Sequence, residues 1–291
     1  MYPAAFDYSA PTTLDEALAV LAEADEDTKV LAGGQSLIPM MKIRLAAPTK
    51  LVDINRLDGL AGIGVSNGHL TVGALTRHND VVKSDVVAAE NHTMAAAAPW
   101  IADPLVRNLG TVGGSLAHAD PQGDWGSVML ACGAELVAQS TRDERTLHIN
   151  DFFVDLFTSA LEPDELLTEI RVPRYTGPAG GTYLKLERKV GDYATVGVAV
   201  HLQLSSDRSR IDQAGIALTG VGSKNIKVTA AEGMLVGQAP SAEAFAEAGH
   251  LAAAAAAPHS DVRGSADYKR SVVSTFVRRG LQQAADQAGS E

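Results

Sequence analysis

The sequence predicts an α+β chain in three units, at residues 1–54, 55–175 and 180–287. Three observations carry this. Two glycine-rich stretches stand out: "LAGGQS" at 31–36, where two glycines and a serine follow an apolar segment, and "GTVGGS" at 110–115, which again pairs two glycines with a serine. "PRYTGPAGG" at 173–181 gathers proline and glycine into one linker. Beyond it the pattern changes to three consecutive strand-like runs and then three helical ones.

The elements follow in order. "TLDEALAVLAE" from Thr13 places Leu14, Ala17, Leu18 and Leu21 on one helical face, and Thr13 with Glu16 matches a capping box. Strands are expected at 29–32 and 50–54, so the first unit is a small βα-type layer around its glycine turn. In the second unit, "HLTVGAL" at 69–75 alternates as a strand. Thr76 is expected to cap a helix "RHNDVVKS", and residues 86–101 read as one alanine-rich helix ending around Asp103-Pro104. "WGSVMLACG" at 125–133 reads as a helix. "AELVAQS" and "ELLTEIRVP" read as strands, and "RDERTL" at 142–147 as a solvated turn. In the third unit, "TYLKLERK", "TVGVAVHLQLSS" and "DQAGIALTGVG" make a three-stranded sheet. The segments "TAAEGMLVG", "AEAFAEAGHLAAAAA" and "ADYKRSVVSTFVRRGLQQAAD" cover it as helices.

Composition narrows the function. With 46% hydrophobic residues and 20% charged, the 291 residues suffice for several packed cores. A net charge of -11 argues against a broad nucleic-acid or anionic-membrane surface. One cysteine, Cys132, excludes a disulfide within the chain and a four-cysteine zinc or iron–sulfur site. Any electron carrier is then a bound organic cofactor or lies on another chain. The N-terminus has neither the basic start nor the apolar core of a signal peptide, and no apolar run is long enough to span a membrane. A cytoplasmic protein is expected.

The glycine stretches carry the chemistry. Glycine admits positive φ and close approach, and successive N–H groups in such a turn form an anion nest. "AGGQS" matches neither the Rossmann nor the P-loop pattern. Alone, "AGGQS" fits a structural turn as well as a phosphate site. A second loop with Thr111, Gly114 and Ser115, followed by Asp124, favours a ligand with two linked phosphates such as FAD. Two unrelated tight turns are the alternative.

"LAGGQSLIPMMKIRLAAPTKLVDINRL" and "RNLGTVGGSLAHADPQGDW", in order with "DELLTEIRVP" and "LKLERKVGDYATVGVAV", resemble the FAD-binding medium subunits of molybdenum hydroxylases. That family includes the aerobic carbon monoxide dehydrogenases and bacterial relatives of xanthine dehydrogenase. The resemblance covers nearly the whole chain. It implies a vanillyl-alcohol-oxidase-like (PCMH-type) FAD-binding domain of two subdomains, 1–54 and 55–175. It also implies a carbon monoxide dehydrogenase flavoprotein C-terminal-like domain at 180–287. It implies that Ala32, Gly33, Gly34, Gln35 and Ser36 cradle the FAD pyrophosphate. Thr111, Gly114, Ser115 and Asp124 would hold the other side and the ribityl or adenosine part. Ile101 would sit near the isoalloxazine, Leu167 on the adenine side, Lys185 at the flavin's polar edge and Tyr193 by the ring face. FAD would be noncovalent. Molybdopterin and [2Fe-2S] clusters would lie on a large and a small partner subunit, in a dimer of heterotrimers. Gln35 stands where carbon monoxide oxidisers of the family carry His, and Ser115 where many relatives carry Asn. Carbon monoxide, an N-heterocycle and an aldehyde all remain open as substrate. A stand-alone flavin oxidase or reductase, and a non-enzymatic nucleotide-binding module, are the other functional readings.

His118 with Asp120 lacks a third ligand and is expected to stabilise its loop. His78 and His92 are expected to be solvated or satisfied, Met40 and Met41 to pack, and Cys132 to be buried. Arg44 fits a phosphate, a partner chain or a structural ion pair.

Overall fold

The computed structural model of the chain describes residues 2–290. The first unit holds β1 (Asp7–Ser9), α1 (Leu14–Ala22), β2 (Thr28–Leu31), α2 (Leu37–Lys42) and β3 (Lys50–Asp53). Its sheet is parallel, in the order β1-β3-β2. The capping box forms: Thr13 Oγ1 accepts from Glu16 N–H at 3.2 Å, and the Glu16 carboxylate accepts from Thr13 N–H at 3.3 Å. Ala17, Leu18 and Leu21 then bury against Val52, Ile54, Leu57 and Leu60. The sequence pattern did not show β1 or α2. β1 spans only three residues, and α2 is six residues long with a proline inside.

The second unit begins with β4 (Ile63–Ser66), β5 (His69–Gly73), α3 (His78–Val82), α4 (Asp85–Glu90) and α5 (His92–Ala97). α6 (Pro104–Arg107), α7 (Val112–His118), α8 (Asp124–Cys132), β6 (Glu135–Gln139), β7 (Glu144–His148) and α9 (Ile149–Phe152) follow. The hairpin β8 (Phe153–Asp155) and β9 (Thr158–Ser159) and then β10 (Leu166–Pro173) close the unit. Its sheet is antiparallel, in the order β4-β5-β10-β6-β7.

Three local expectations are corrected. Thr76 does not cap α3: its hydroxyl bridges both N–H and C=O of Gly62 at 3.0 Å, and Arg77 is the extended residue before the helix. The expected helix over 86–101 is broken at Asn91. Asn91 is extended (φ -154°), and its Oδ1 accepts from Met94 N–H at 2.9 Å, ending α4 and capping α5. "RDERTL" runs into β7, where Arg145 pairs across with Ala138 and its guanidinium holds Glu165 at 2.6 Å.

The third unit holds β11 (Ala179–Leu186), β12 (Val196–Leu204), β13 (Ile211–Thr219), β14 (Ile226–Lys227), α10 (Thr229–Leu235), α11 (Ala242–Ala255) and α12 (Ala266–Ser290). The sheet is antiparallel in the order β11-β12-β13-β14, so it has a fourth, two-residue strand beyond the three expected. Every residue of β12 is buried because both faces are covered. Val198, Val200 and Leu202 share a core with Phe245, Val277 and Leu281 of α11 and α12. On the other face, Ala199, Ala217 and Tyr183 join the core of the second unit, which includes Met94, Trp125 and Val128. α8 approaches so closely that a Cβ on Gly215 would lie 1.8 Å from the Ala131 carbonyl oxygen.

Candidate functional site

The two glycine stretches meet. A Cβ on Gly33 would lie 2.4 Å from the Leu109 carbonyl oxygen and 2.7 Å from Gly110 Cα, so the backbones touch there. Asn55 and Arg77 clamp this junction. Asn55 Nδ2 donates to the Ala32 carbonyl at 2.7 Å. Arg77 donates to Asn55 Oδ1 at 2.7 Å and, through its other nitrogen, to the Leu109 carbonyl. Neither residue stood out in the sequence. Asn55 sits two places past a strand end and Arg77 in an apparently ordinary helix start, and only the tertiary contact gives them meaning.

The loops differ in what they offer a ligand. In the first, Gly34 takes φ +70°, and the N–H groups of Gly34, Gln35 and Ser36 have no acceptor among the described residues. Gln35 turns its side-chain amide onto the Gly33 carbonyl at 3.2 Å. The Ser36 hydroxyl makes no cap for α2 and instead meets the phenol of Tyr193, which comes from the third unit. The second stretch is no open loop. Thr111 caps α7, accepting from Gly114 N–H at 3.1 Å, while Val112 and Gly113 N–H donate to the Thr76 and Ala74 carbonyls. Gly113 and Gly114 are therefore helical. What this side retains is the O–H of buried Thr111 and the Ser115 hydroxyl, neither with an acceptor among the described residues. Three backbone N–H groups without acceptors among the described residues, plus the Thr111 and Ser115 hydroxyls, are a donor set suited to linked phosphates. The residues present fit a dinucleotide's pyrophosphate.

A second, buried group lies beside it. Asp124, at the start of α8, accepts from Tyr183 Oη at 2.6 Å and from Lys185 Nζ at 3.0 Å. Burial pushes the Asp124 carboxyl up, and Lys185 and Tyr183 pull it back. Lys185 also donates to the Trp100 carbonyl at 2.9 Å and lies 3.6 Å from Glu187, so its three N–H groups face three acceptors. Arg107 donates to the carbonyls of Pro99, Ile101 and Ala102. The segment with buried Ile101 is thus fixed from two sides. Ala102 within it adopts a left-handed φ of +46°. Lys185 is fixed against the Trp100 carbonyl. Leu167 is buried in β10 at a β-bulge, and β10 packs on α7.

The His118 ring packs 5.2 Å from that of Phe157, burial lowering its pKa against the opposing Asp120. No group of three metal-ligating residues occurs among the described residues. His78 is buried and accepts from Trp125 Nε1 at 3.0 Å. Met41 is buried, and burial pushes the Cys132 thiol up to about 11. Arg44 is exposed, takes φ +59° and forms no ion pair among the described residues.

Comparison with known proteins decides what this architecture is. The model of the FAD-binding domain in molybdopterin dehydrogenases matches residues 4–175, and that of the carbon monoxide dehydrogenase flavoprotein C-terminal domain matches 181–284. The chain belongs to the FAD-binding medium subunits of molybdenum hydroxylases. This medium subunit is 40% identical to the carbon monoxide dehydrogenase medium chain of Hydrogenophaga pseudoflava, over 98% of both chains. It is 38% identical to the 6-hydroxypseudooxynicotine dehydrogenase complex subunit alpha of Paenarthrobacter nicotinovorans, over 99% of this chain and 97% of that one. The solved structure of the Hydrogenophaga carbon monoxide dehydrogenase superposes with a TM-score of 0.95 at 41% identity, over 99% of both chains. Quinoline 2-oxidoreductase from Pseudomonas putida 86 gives 0.90 at 34% identity, also over 99% of both. No helix among the described residues is long and apolar enough to cross a membrane.

Proposed function

We propose that this medium subunit holds FAD noncovalently across the two joined stretches and relays electrons from a partner's iron–sulfur clusters to an external acceptor. The observation that carries this is the run of N–H groups at Gly34, Gln35 and Ser36 that have no acceptor among the described residues, beside the hydroxyls of Thr111 and Ser115. These donors take the pyrophosphate. Ala32, Gly33 and Gly114 bring the stretches together. Asp124, with lone pairs left on both oxygens, accepts from ribityl or adenosine hydroxyls. Leu167 lines the adenine side. Ile101, on the segment that Lys185 fixes, and Tyr193, leaning on Ser36, flank the flavin ring. FAD supplies the exchange between one-electron and two-electron carriers; the protein supplies position and charge.

The single cysteine leaves no iron–sulfur ligands in this chain, so those clusters belong to a small partner subunit and molybdopterin to a large one. A dimer of such heterotrimers in the cytoplasm is the expected assembly. The relatives' names span carbon monoxide, a nicotine derivative and quinoline at similar identity. Gln35 and Ser115 therefore identify no substrate, and substrate choice rests with the large subunit. Purification from its own cells is expected to yield three different chains, and the isolated medium subunit is expected to oxidise no organic substrate. Substrate turnover by the isolated chain would favour a stand-alone oxidase instead.

A further inference from the structure

A chain of four polar side chains crosses the junction of the two stretches. Tyr8, on edge strand β1, donates from Oη to Asp53 Oδ2 at 2.6 Å. Asp53, at the end of β3, accepts on Oδ1 from the Asn55 N–H at 2.9 Å and from Asn55 Nδ2 at 2.7 Å. Asn55 Nδ2 also donates to the Ala32 carbonyl at 2.7 Å, and its Oδ1 accepts from Arg77 at 2.7 Å. The other terminal nitrogen of Arg77 ends the chain on the Leu109 carbonyl. The Arg77 backbone is tied to the same stretch, bridging to Thr111 while His78 N–H donates to the Gly110 carbonyl at 3.0 Å. The chain thus runs from the first unit into the second through both glycine stretches.

Each link has one direction. Carboxylate and carbonyl oxygens only accept, and a guanidinium only donates. Asn55 can therefore sit between them in one orientation alone, with Nδ2 toward Ala32 and Asp53 and Oδ1 toward Arg77. The consequence appears across the Ala32–Gly33 peptide. No peptide bond among the described residues is cis. In a trans peptide the C=O and the following N–H point opposite ways. With the Ala32 carbonyl held by Asn55, the Gly33 N–H is aimed away from Asn55. Gly33 lies past β2, and its N–H has no acceptor among the described residues. It extends the run at Gly34, Gln35 and Ser36 to four consecutive N–H groups. The same clamp occupies the Ala32 and Leu109 carbonyl oxygens, whose partial negative charge opposes a phosphate. Asn55 is exposed and Arg77 only partly buried, so replacing either opens no cavity in a core.

We propose that Asn55 and Arg77 are positioning residues for the pyrophosphate of FAD. Neither takes a phosphate itself. Acting as one relay, they aim the Gly33 N–H and hold the N–H run of the first stretch at a fixed distance from the Thr111 and Ser115 hydroxyls of the second. The proposal rests on the FAD reading above.

The test is a double-mutant cycle on FAD affinity, read by fluorescence titration of the flavin-depleted full chain, with far-UV circular dichroism to show that each variant is folded. Asn55→Leu and Arg77→Met are each expected to raise the Kd for FAD by about tenfold or more, the usual worth of a hydrogen bond to a charged group. The double variant is expected to fall within about twofold of the weaker single one, because breaking one relay twice costs little more than breaking it once. Arg77→Lys keeps the charge without the two-pronged guanidinium and is expected to bind FAD as weakly as Arg77→Met. Single variants that bind FAD like the wild type, losses that multiply in the double variant, or full recovery with Arg77→Lys would each overturn the proposal. Asn55→Leu changes an exposed position, so its result stands even where an Arg77 variant does not fold. A wild-type chain that takes up no FAD would instead remove the underlying reading.

Discussion

Asp124 and Lys185 form a buried ion pair at 3.0 Å. The Lys185 side chain is 1% exposed, so its charge depends on Asp124 and Glu187 for compensation. Replacing Asp124 with Asn is expected to destabilise the fold by about 3–5 kcal/mol, the usual cost of breaking a buried pair. Pairing it with Lys185→Met is expected to recover much of that loss, read by chemical denaturation of the single and double variants. A double variant no more stable than Asp124→Asn would mean the charge is not the cause. At the loop junction, Gly33→Ala sets a methyl against the Leu109 carbonyl. About 1–3 kcal/mol of strain follows there, with weaker FAD retention on gel filtration. Unchanged retention would show that the junction tolerates separation. The spacing of small residues pointed to both glycine sites. It did not show that Gly33 serves loop-to-loop contact, because Leu109 is 76 positions away and approaches only in the fold.

At the scale of elements, α7 shows where local reading stops. Glycine is among the poorest helix formers, costing about 1 kcal/mol each relative to alanine, so "GTVGGS" reads as a loop. Tertiary acceptors reverse this. Thr76 and Ala74 carbonyls take the first N–H groups, Thr111 caps Gly114, and a Cβ on Gly113 would lie 2.7 Å from the Ala74 oxygen. Thr111→Val removes both the cap and a proposed phosphate donor. It is expected to cost about 1 kcal/mol of stability and to lower FAD affinity. Thr111→Ser should restore both, and affinity that survives Thr111→Val would remove Thr111 from the site. The amphipathic helix α1 and the alternating β5 were legible because each makes its own case within ten residues. The break at Asn91 was not, since alanine on either side is equally at home in one helix or two.

For the whole molecule, acid sensitivity follows from two buried histidines. Burial lowers His78 and His201 from an ordinary 6.5 to about 4 each. The unfolded chain therefore takes up protons near 6.5 that the folded chain refuses until about 4. Stability from this source is full above that window, falls as pH drops through it, and is level below it. Each histidine contributes a slope of about 1.4 kcal/mol per pH unit within the window. His201→Phe keeps a ring stacked on Tyr175, removes a buried nitrogen without a hydrogen-bond partner, and is expected to halve the slope. Denaturation midpoints between pH 7 and 4 check this, and an unchanged slope would clear His201. The change of sequence pattern after Pro173 corresponds to the step from β10 to β11. What sequence could not supply is the packing of α5 and α8 on the third sheet, which makes one continuous core of two sequence-distant units.

Occupancy of the joined stretches at 32–36 and 111–115 by FAD is read from the flavin content of the purified full chain, through its visible absorbance and the nucleotide released on denaturation. One FAD per chain is expected, with the yellow colour surviving gel filtration. Release of ADP or ATP instead, or a chain that stays colourless after incubation with FAD, would contradict it.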